Sequence, residues 1–250
     1  MPLKKPDGTG RFTSVDEAMR HARWAFQQAK REESSIPVDP EQIGNELLII
    51  HGMSGYMYRH LLNNLCARQG ITYGEVGTWN GSTFLSAVFN NSHIKAWTCD
   101  NWTEFGGPRS DFFRNYKCVH SWENQAEVFE SSQHSVHESD FRELDFGAGG
   151  PIDIYFFDGP HSRVDQCDGI TLAFPALAPI SIILVDDWNL QKAQNGTFDA
   201  LQQSGAQIHM HTEVFTPPEG WIACDRTKQT KTRFETSEWH NGVAMFVVTK

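Results

Sequence analysis

Tyr73-Gly-Glu-Val-Gly-Thr-Trp-Asn-Gly-Ser-Thr83 is the stretch on which the fold assignment turns. Ile71 to Val76 reads as a short strand, rich in β-branched and aromatic residues, and Ser82 to Phe89 reads as the helix that follows at once. Gly77 lets the backbone turn sharply and come close to a ligand. Gly81, Ser82 and Thr83 fall at the helix start, where free N–H groups and the helix dipole favour a carboxylate or phosphate. The spacing is E-x-G-x-x-x-G-S, not the dinucleotide pattern G-x-G-x-x-G. Glu75 places an acid at the strand end. A loop that takes an anion beside a carboxylate suits a ligand carrying a cationic group as well.

Working outward, the pattern alternates. Strands are expected at Ile94 to Cys99, Ser135 to Glu138, Ile152 to Phe157 and Ile180 to Val185, with helices over 108–120, Arg163 to Phe174 and Thr197 to Gln203. Gln207 to Phe215 and Gly242 to Val248 read as two late strands with no helix between them, so an antiparallel pair is expected there. Alternating strands and helices imply a mostly parallel sheet with helices on both faces. Upstream, Ser14-Val-Asp-Glu17 has the form of a capping box. It opens a helix to about Lys30 that gathers Ala18, His21, Ala22, Ala25 and Ala29 near one face. Ser54 to Arg68 reads as a second helix striped by Met57, Leu61, Leu62 and Leu65. Residues 1–70 are expected to form a helical extension and lid, and residues 71–250 the main domain.

The glycine segment resembles motif I of class I SAM-dependent methyltransferases. That resemblance implies an α/β Rossmann-like fold with a seven-stranded sheet, its last strand antiparallel, and S-adenosyl-L-methionine (SAM) as cofactor. It implies cofactor contacts at Glu75, Gly77, Thr78, Gly81, Ser82 and Thr83. Asp100 ends the second strand 25 residues after Glu75, where an acid receives ribose hydroxyls in such folds. Asn101 and Trp102 follow it, and Trp102 and Phe105 suit either a loop over the ligand or a packed surface loop. Ser139-Asp-Phe141 follows the third strand, so Asp140 and Phe141 are expected near the adenine, with Asp158 at the cofactor as well.

Ile152-Asp-Ile-Tyr-Phe-Phe-Asp-Gly-Pro-His161 and Ile180-Ser-Ile-Ile-Leu-Val-Asp-Asp-Trp188 end two apolar strands in acids. As neighbouring parallel strands they lie about 5 Å apart. Asp158, Asp186 and Asp187 then converge on the carboxyl rim, where ligands bind in open α/β sheets. Clustered carboxylates repel unless a proton or cation intervenes, and a hard divalent cation with oxygen ligands satisfies them. Ordinary strand-end acids are the plain alternative. The D-G-x-H and V-D-D-W segments resemble metal-assisted small-molecule O-methyltransferases of the methyltransferase-24 and macrolide-sugar types. By that resemblance Asp158, Asp186 and Asp187 hold Mg²⁺ and His161 is the general base, with Asp158 also catalytic. Trp188 and Asn189 are then placed to meet an acceptor. Tyr56 and Tyr58 are expected to pack. His209 and His211 share a strand face without an evident third ligand and read as exposed. Residues 225–238 read as a solvated loop.

Composition narrows the rest. Twenty-one basic against 31 acidic residues give a net charge of −10, a poor match for coating nucleic acid or docking on anionic lipid. No apolar run approaches a membrane span, and no secretory signal is evident. The five cysteines are odd in number and lack C-x-x-C, which fits buried free thiols in a reducing cytoplasm. The expected partner is a small-molecule acceptor, with neither nucleic acid nor membrane; a homo-oligomer stays open. Two other readings also stay open: an NAD- or nucleotide-binding Rossmann enzyme, and an inactive SAM-binding module.

Overall fold

The structure, a computed structural model, describes residues 5–39, 41, 44, 46–122, 133–216 and 238–250, with the backbone alone over 120–122. Cys224 and residues 225–237 of the expected solvated loop lie outside the described residues. Helices α1 (Val15–Ala29), α2 (Glu46–Ile49) and α3 (Tyr56–Cys66) come first. Then follow β1 (Thr72–Val76), α4 (Ser82–Val88), β2 (Lys95–Asp100), α5 (Arg109–Trp122), β3 (His134–Glu138) and β4 (Ile152–Phe157). The chain continues through α6 (Arg163–Ala173), β5 (Leu177–Asp186), α7 (Gln191–Gln203), β6 (Gln207–Val214) and β7 (Val243–Thr249).

The seven strands form one sheet in the order β3-β2-β1-β4-β5-β7-β6. β1 to β5 are parallel, and β7 runs antiparallel between β5 and β6. The expected architecture is therefore observed. From β1 the chain winds outward through β2 to β3, then returns to the other side of β1 with β4. That reversal opens a crevice outside the carboxyl ends of β1 and β4.

β4 shows why the sheet sits at the centre. All six of its residues are buried. Ile154 and Phe156 join the core beneath α1, α3, α4 and α5, while Tyr155 and Phe157 join the core beneath α6 and α7. A parallel strand covered on both faces needs such a continuous apolar run. His134 and His137 divide likewise, the first ring against Phe84 and the second against Trp97.

At the N-terminus the Ser14 hydroxyl oxygen accepts the Glu17 N–H at 3.2 Å. Glu17 does not complete the reciprocal box. Its carboxylate accepts from the backbone N–H and hydroxyl of Thr13 and pairs with Arg68 at 2.8 Å. Ala18, His21, Ala22, Ala25 and Ala29 are all buried, so α1 lies close on α3, and His21 Nε2 meets the Leu65 carbonyl at 2.8 Å. The apolar residues of α1 to α3 share one core with Ile154, Phe156, Ile182 and Leu184 of the sheet.

Three expectations shift. β5 starts at Leu177 and α7 at Gln191, both earlier than the apolar pattern indicated. Cys118 is exposed, unlike the buried Cys66 and Cys99.

Candidate active site

Register assembles the site. Val76 pairs with Phe157, so Gly77 and Asp158 leave the sheet side by side. The Asp158 N–H donates to the Val76 carbonyl at 2.8 Å, and the Gly77 N–H to the Cys99 carbonyl at 2.9 Å. Gly77 has φ of 95°, and a Cβ there would stand 1.8 Å from the Asp158 carbonyl oxygen. No other residue fits this crossing. What Gly77 admits so closely is the backbone that carries the first acid.

Glu75 is fully buried beneath the turn. It accepts from the Tyr73 hydroxyl at 2.5 Å, the Thr83 hydroxyl at 2.8 Å and the Phe84 N–H. Burial raises it to about 8 against the hydrogen bonds that favour its charged form. Glu75 thus pins the start of α4 to β1. The Thr78 hydroxyl bonds that of Thr98, and Ser82 Oγ meets Ser54 Oγ at 2.9 Å. Gly81, in the left-handed region at φ of 86°, starts α4 without a side-chain cap.

The Ser54 contact brings the segment before α3 onto this helix start. Arg59, fully buried, donates to the carbonyls of Leu47 at 2.7 Å and Ile50 at 3.0 Å and to Ser54 Oγ at 3.0 Å. Tyr56 and Tyr58 are packed inside, as expected.

Asp100 bridges two loops. One carboxylate oxygen accepts the Trp79 N–H at 2.7 Å and the other the Trp102 N–H at 2.6 Å. Each oxygen keeps a second lone pair. The Asn101 side chain accepts from Thr103 of its own loop. Trp102 does not fold over an open crevice: its ring packs on Phe112 and Phe113 and its indole N–H donates to the Trp79 carbonyl. Phe105 points to solvent at 71 % exposure. Asp140 caps a short turn by accepting the Arg142 N–H, and the Phe141 ring lies between Phe157 and the Arg142 guanidinium.

The second cluster closes as the strand spacing requires. β4 pairs with β5, and Asp158, His161, Asp186 and Asp187 meet at the rim. His161 Nε2 lies 3.5 Å from Asp158 Oδ1 and 3.4 Å from Asp187 Oδ2. Its Nδ1 faces Gln166 Oε1 at 3.4 Å, and Gln166 is held by donating to the Thr197 hydroxyl. Asn241 Nδ2 donates to Asp187 Oδ1 at 2.8 Å. Asp187 has φ of 55°, a left-handed conformation uncommon outside glycine and concentrated at functional sites.

Burial pushes Asp158 and Asp186 well above the usual carboxylate range. Neighbouring buried carboxylates repel when both are ionised, and a cation between them relieves that repulsion. Asp186 Oδ1 is buried and has no hydrogen-bond partner among the described residues. Three carboxylates with a neighbouring imidazole are a donor set that fits a divalent cation.

Trp188 and Asn189 do not face an acceptor. Trp188 packs on Phe198, His211 and Phe246 and donates its indole N–H to Glu213 at 2.8 Å. The side chain of Asn189 holds Thr216 through three hydrogen bonds. His240, which the sequence reading passed over, belongs to the site: it forms a possible ligand group with Asp186 and Asp187. Its only signal was topological, since an antiparallel last strand returns the residues before Val243 to the carboxyl end of β5.

Residues 75–188 match the methyltransferase-24 family, described as a methyltransferase domain; the match runs from the acid of the glycine turn to the residue after the acid pair. Among solved structures, the chain is similar to the precorrin-6y C5,15-methyltransferase of Geobacter metallireducens, at 14 % identity over 77 % of this chain and 86 % of that one, with a TM-score of 0.49. It is similar to a candidate RNA methyltransferase of Pyrococcus horikoshii, at 9 % identity over 92 % of this chain and 97 % of the other, TM-score 0.48. It is also similar to the O-methyltransferase of Bacillus cereus in complex with SAH, at 12 % identity over 92 % and 90 % of the two chains, TM-score 0.46. No curated protein matches the chain.

Proposed function

We propose that this chain, whose residues 75–188 match the methyltransferase-24 family, transfers a methyl group from SAM to a hydroxyl oxygen of a small acceptor. The observation that supports this best is the meeting of Asp158, His161, Asp186 and Asp187 beside the crossing of Gly77 and Asp158, at the reversal of strand order. The turn from Gly77 to Thr83 would hold the amino-acid tail of SAM, and the open lone pairs of Asp100 would accept its ribose hydroxyls. Asp158, Asp186 and Asp187 would hold a divalent cation, Mg²⁺ by the family resemblance. When bound, such an ion supplies the positive charge that lowers the pKa of an acceptor hydroxyl.

The remaining work belongs to side chains. Gln166 presents an acceptor to His161 Nδ1, which selects the tautomer whose unprotonated Nε2, turned towards Asp158 and Asp187, takes the acceptor proton. Asn241 fixes the Asp187 carboxylate. The buried Arg59 and Ser54 keep the preceding segment over the helix start, where it excludes water from the cofactor. Most of the acceleration comes from holding the oxygen in line with the methyl. The net charge of −10 favours a small acceptor over nucleic acid.

Calorimetric titration with SAM, NAD and ATP tests the reading. SAM alone should bind, at one site per chain. Binding of NAD or ATP in its place would overturn it.

A further inference from the structure

We infer that His240 is a ligand of the cation site together with Asp186 and Asp187, and that its imidazole makes the site take a first-row transition ion such as Mn²⁺ in preference to Mg²⁺. The inference rests on the proposal above that the acid cluster holds a divalent cation.

The cluster contains two ligand groups that share Asp186. One is Asp158, His161 and Asp186; the other is Asp186, Asp187 and His240; in each, one atom per residue lies within 4.8 Å of the others. Asp186 is 2 % exposed, and its Oδ1 has no hydrogen-bond partner among the described residues. An orphaned buried carboxyl oxygen is costly, and this one points to a ligand bound at the rim.

His240 is built into this position. Val243 pairs with Asp186, so the residues just before β7 land on the rim beside the acid pair. The Thr216 hydroxyl donates to the His240 carbonyl at 2.8 Å, and the Asn189 N–H donates to the Asn241 carbonyl at 2.9 Å. Asn241 in turn holds Asp187. His240 and Asp187 both have left-handed backbones, with φ of 50° and 55°. The loop before β7 and the end of β5 thus form one brace that fixes an imidazole and a carboxylate.

The chemistry follows from the donors. Mg²⁺ prefers oxygen ligands and keeps several waters, whereas imidazole nitrogen favours first-row transition ions. A site of carboxylates plus one imidazole therefore discriminates for the latter. His161 belongs to the other group, so His240 ligation leaves it available for the acceptor proton.

The test uses Mn²⁺ and Mg²⁺ titrations of the full chain by calorimetry, with pulsed EPR of bound Mn²⁺ to detect nitrogen coupling. The wild type should bind Mn²⁺ about tenfold or more tightly than Mg²⁺. His240→Ala and the more conservative His240→Asn should lose most of that preference, and nitrogen coupling should persist in His161→Ala but vanish in His240→Asn. Thermal melts without metal show whether each variant folds, and the wild-type and His161→Ala spectra are informative even if the His240 variants do not. Mn²⁺ bound without nitrogen coupling, or coupling lost in His161→Ala, overturns the role of His240 and leaves the cation site standing. Failure of the wild type to bind either ion removes the cation site itself.

Discussion

Asp187 and His161 are where the chemistry is most exposed to mutation. Asp187 gives one oxygen to Asn241 and turns the other towards His161 Nε2. An asparagine preserves the first contact and removes the charge, so Asp187→Asn should abolish formation of S-adenosylhomocysteine while SAM affinity stays near wild type. Full turnover in that variant, or in the wild type with EDTA present, would remove the cation from the mechanism. His161→Ala should lower turnover by about two orders of magnitude; a near-normal rate would exclude it as the base. The four residues D158, H161, D186 and D187 were legible because strand ends in a parallel sheet share one rim. Trp188 was misread because the strand ends at Asp186 and the left-handed backbone of Asp187 breaks the alternation, turning the residue after the acid pair into the core beneath α7. His240 was invisible locally, since only its strand's reversed direction brings it to the site.

At the scale of elements, Glu75 is the joint between β1 and α4. It is an acid whose folded value, about 8, stands above its ordinary 4.5. In that interval the folded state holds a proton that the unfolded chain has released, so stability must fall as pH rises from about 4.5 to about 8. Asp153, raised by burial to about 6, acts in the same direction over a lower range. The two proteins are best compared between about pH 6 and 8, above the Asp153 range, where Asp158 and Asp186, also raised, contribute to both alike. Urea unfolding should show wild-type stability dropping across that window, by on the order of a few kcal/mol at most, and Glu75→Gln should flatten the drop. An equal slope in both proteins would mean that Glu75 is ionised in the folded state. The strand of Ile152 to Phe157 was fully legible, since six apolar-dominated residues bounded by acids and glycine admit little else. The first turn and a half of α7, Gln191-Lys-Ala-Gln-Asn-Gly196, was not, because its polar side chains lack apolar periodicity and Gly196 reads as a break. Packing explains the glycine: a Cβ there would stand 2.5 Å from the Arg163 carbonyl, so it allows α7 to lie against α6.

For the whole molecule, strand order matters more than any single motif. Winding outward from β1 and back to β4 sets the glycine turn, Asp100 and the acids around one crevice. Antiparallel β7 then adds His240 and Asn241 from the far end of the chain. The segment from Leu47 to Ser54, tied down by Arg59, closes the near side. This order could be expected from the alternation of strands and helices, and a lid was expected from the N-terminal segment, but the way it is held was not. It depends on a buried arginine that donates to two backbone carbonyls and the Ser54 hydroxyl, and backbone partners leave no trace in residue type. Two clefts of about 340 and 360 Å³ lie elsewhere, near Arg142 and Pro175 and near Lys5 and His93, and have none of the clustered acids. The most direct measurement is a crystal structure of the chain with S-adenosylhomocysteine. The amino-acid tail should lie over Gly77 to Thr83, the ribose at Asp100 and the sulfur directed at Asp158. The nucleoside in either remote cleft, or its sulfur turned away from the acids, would contradict this placement.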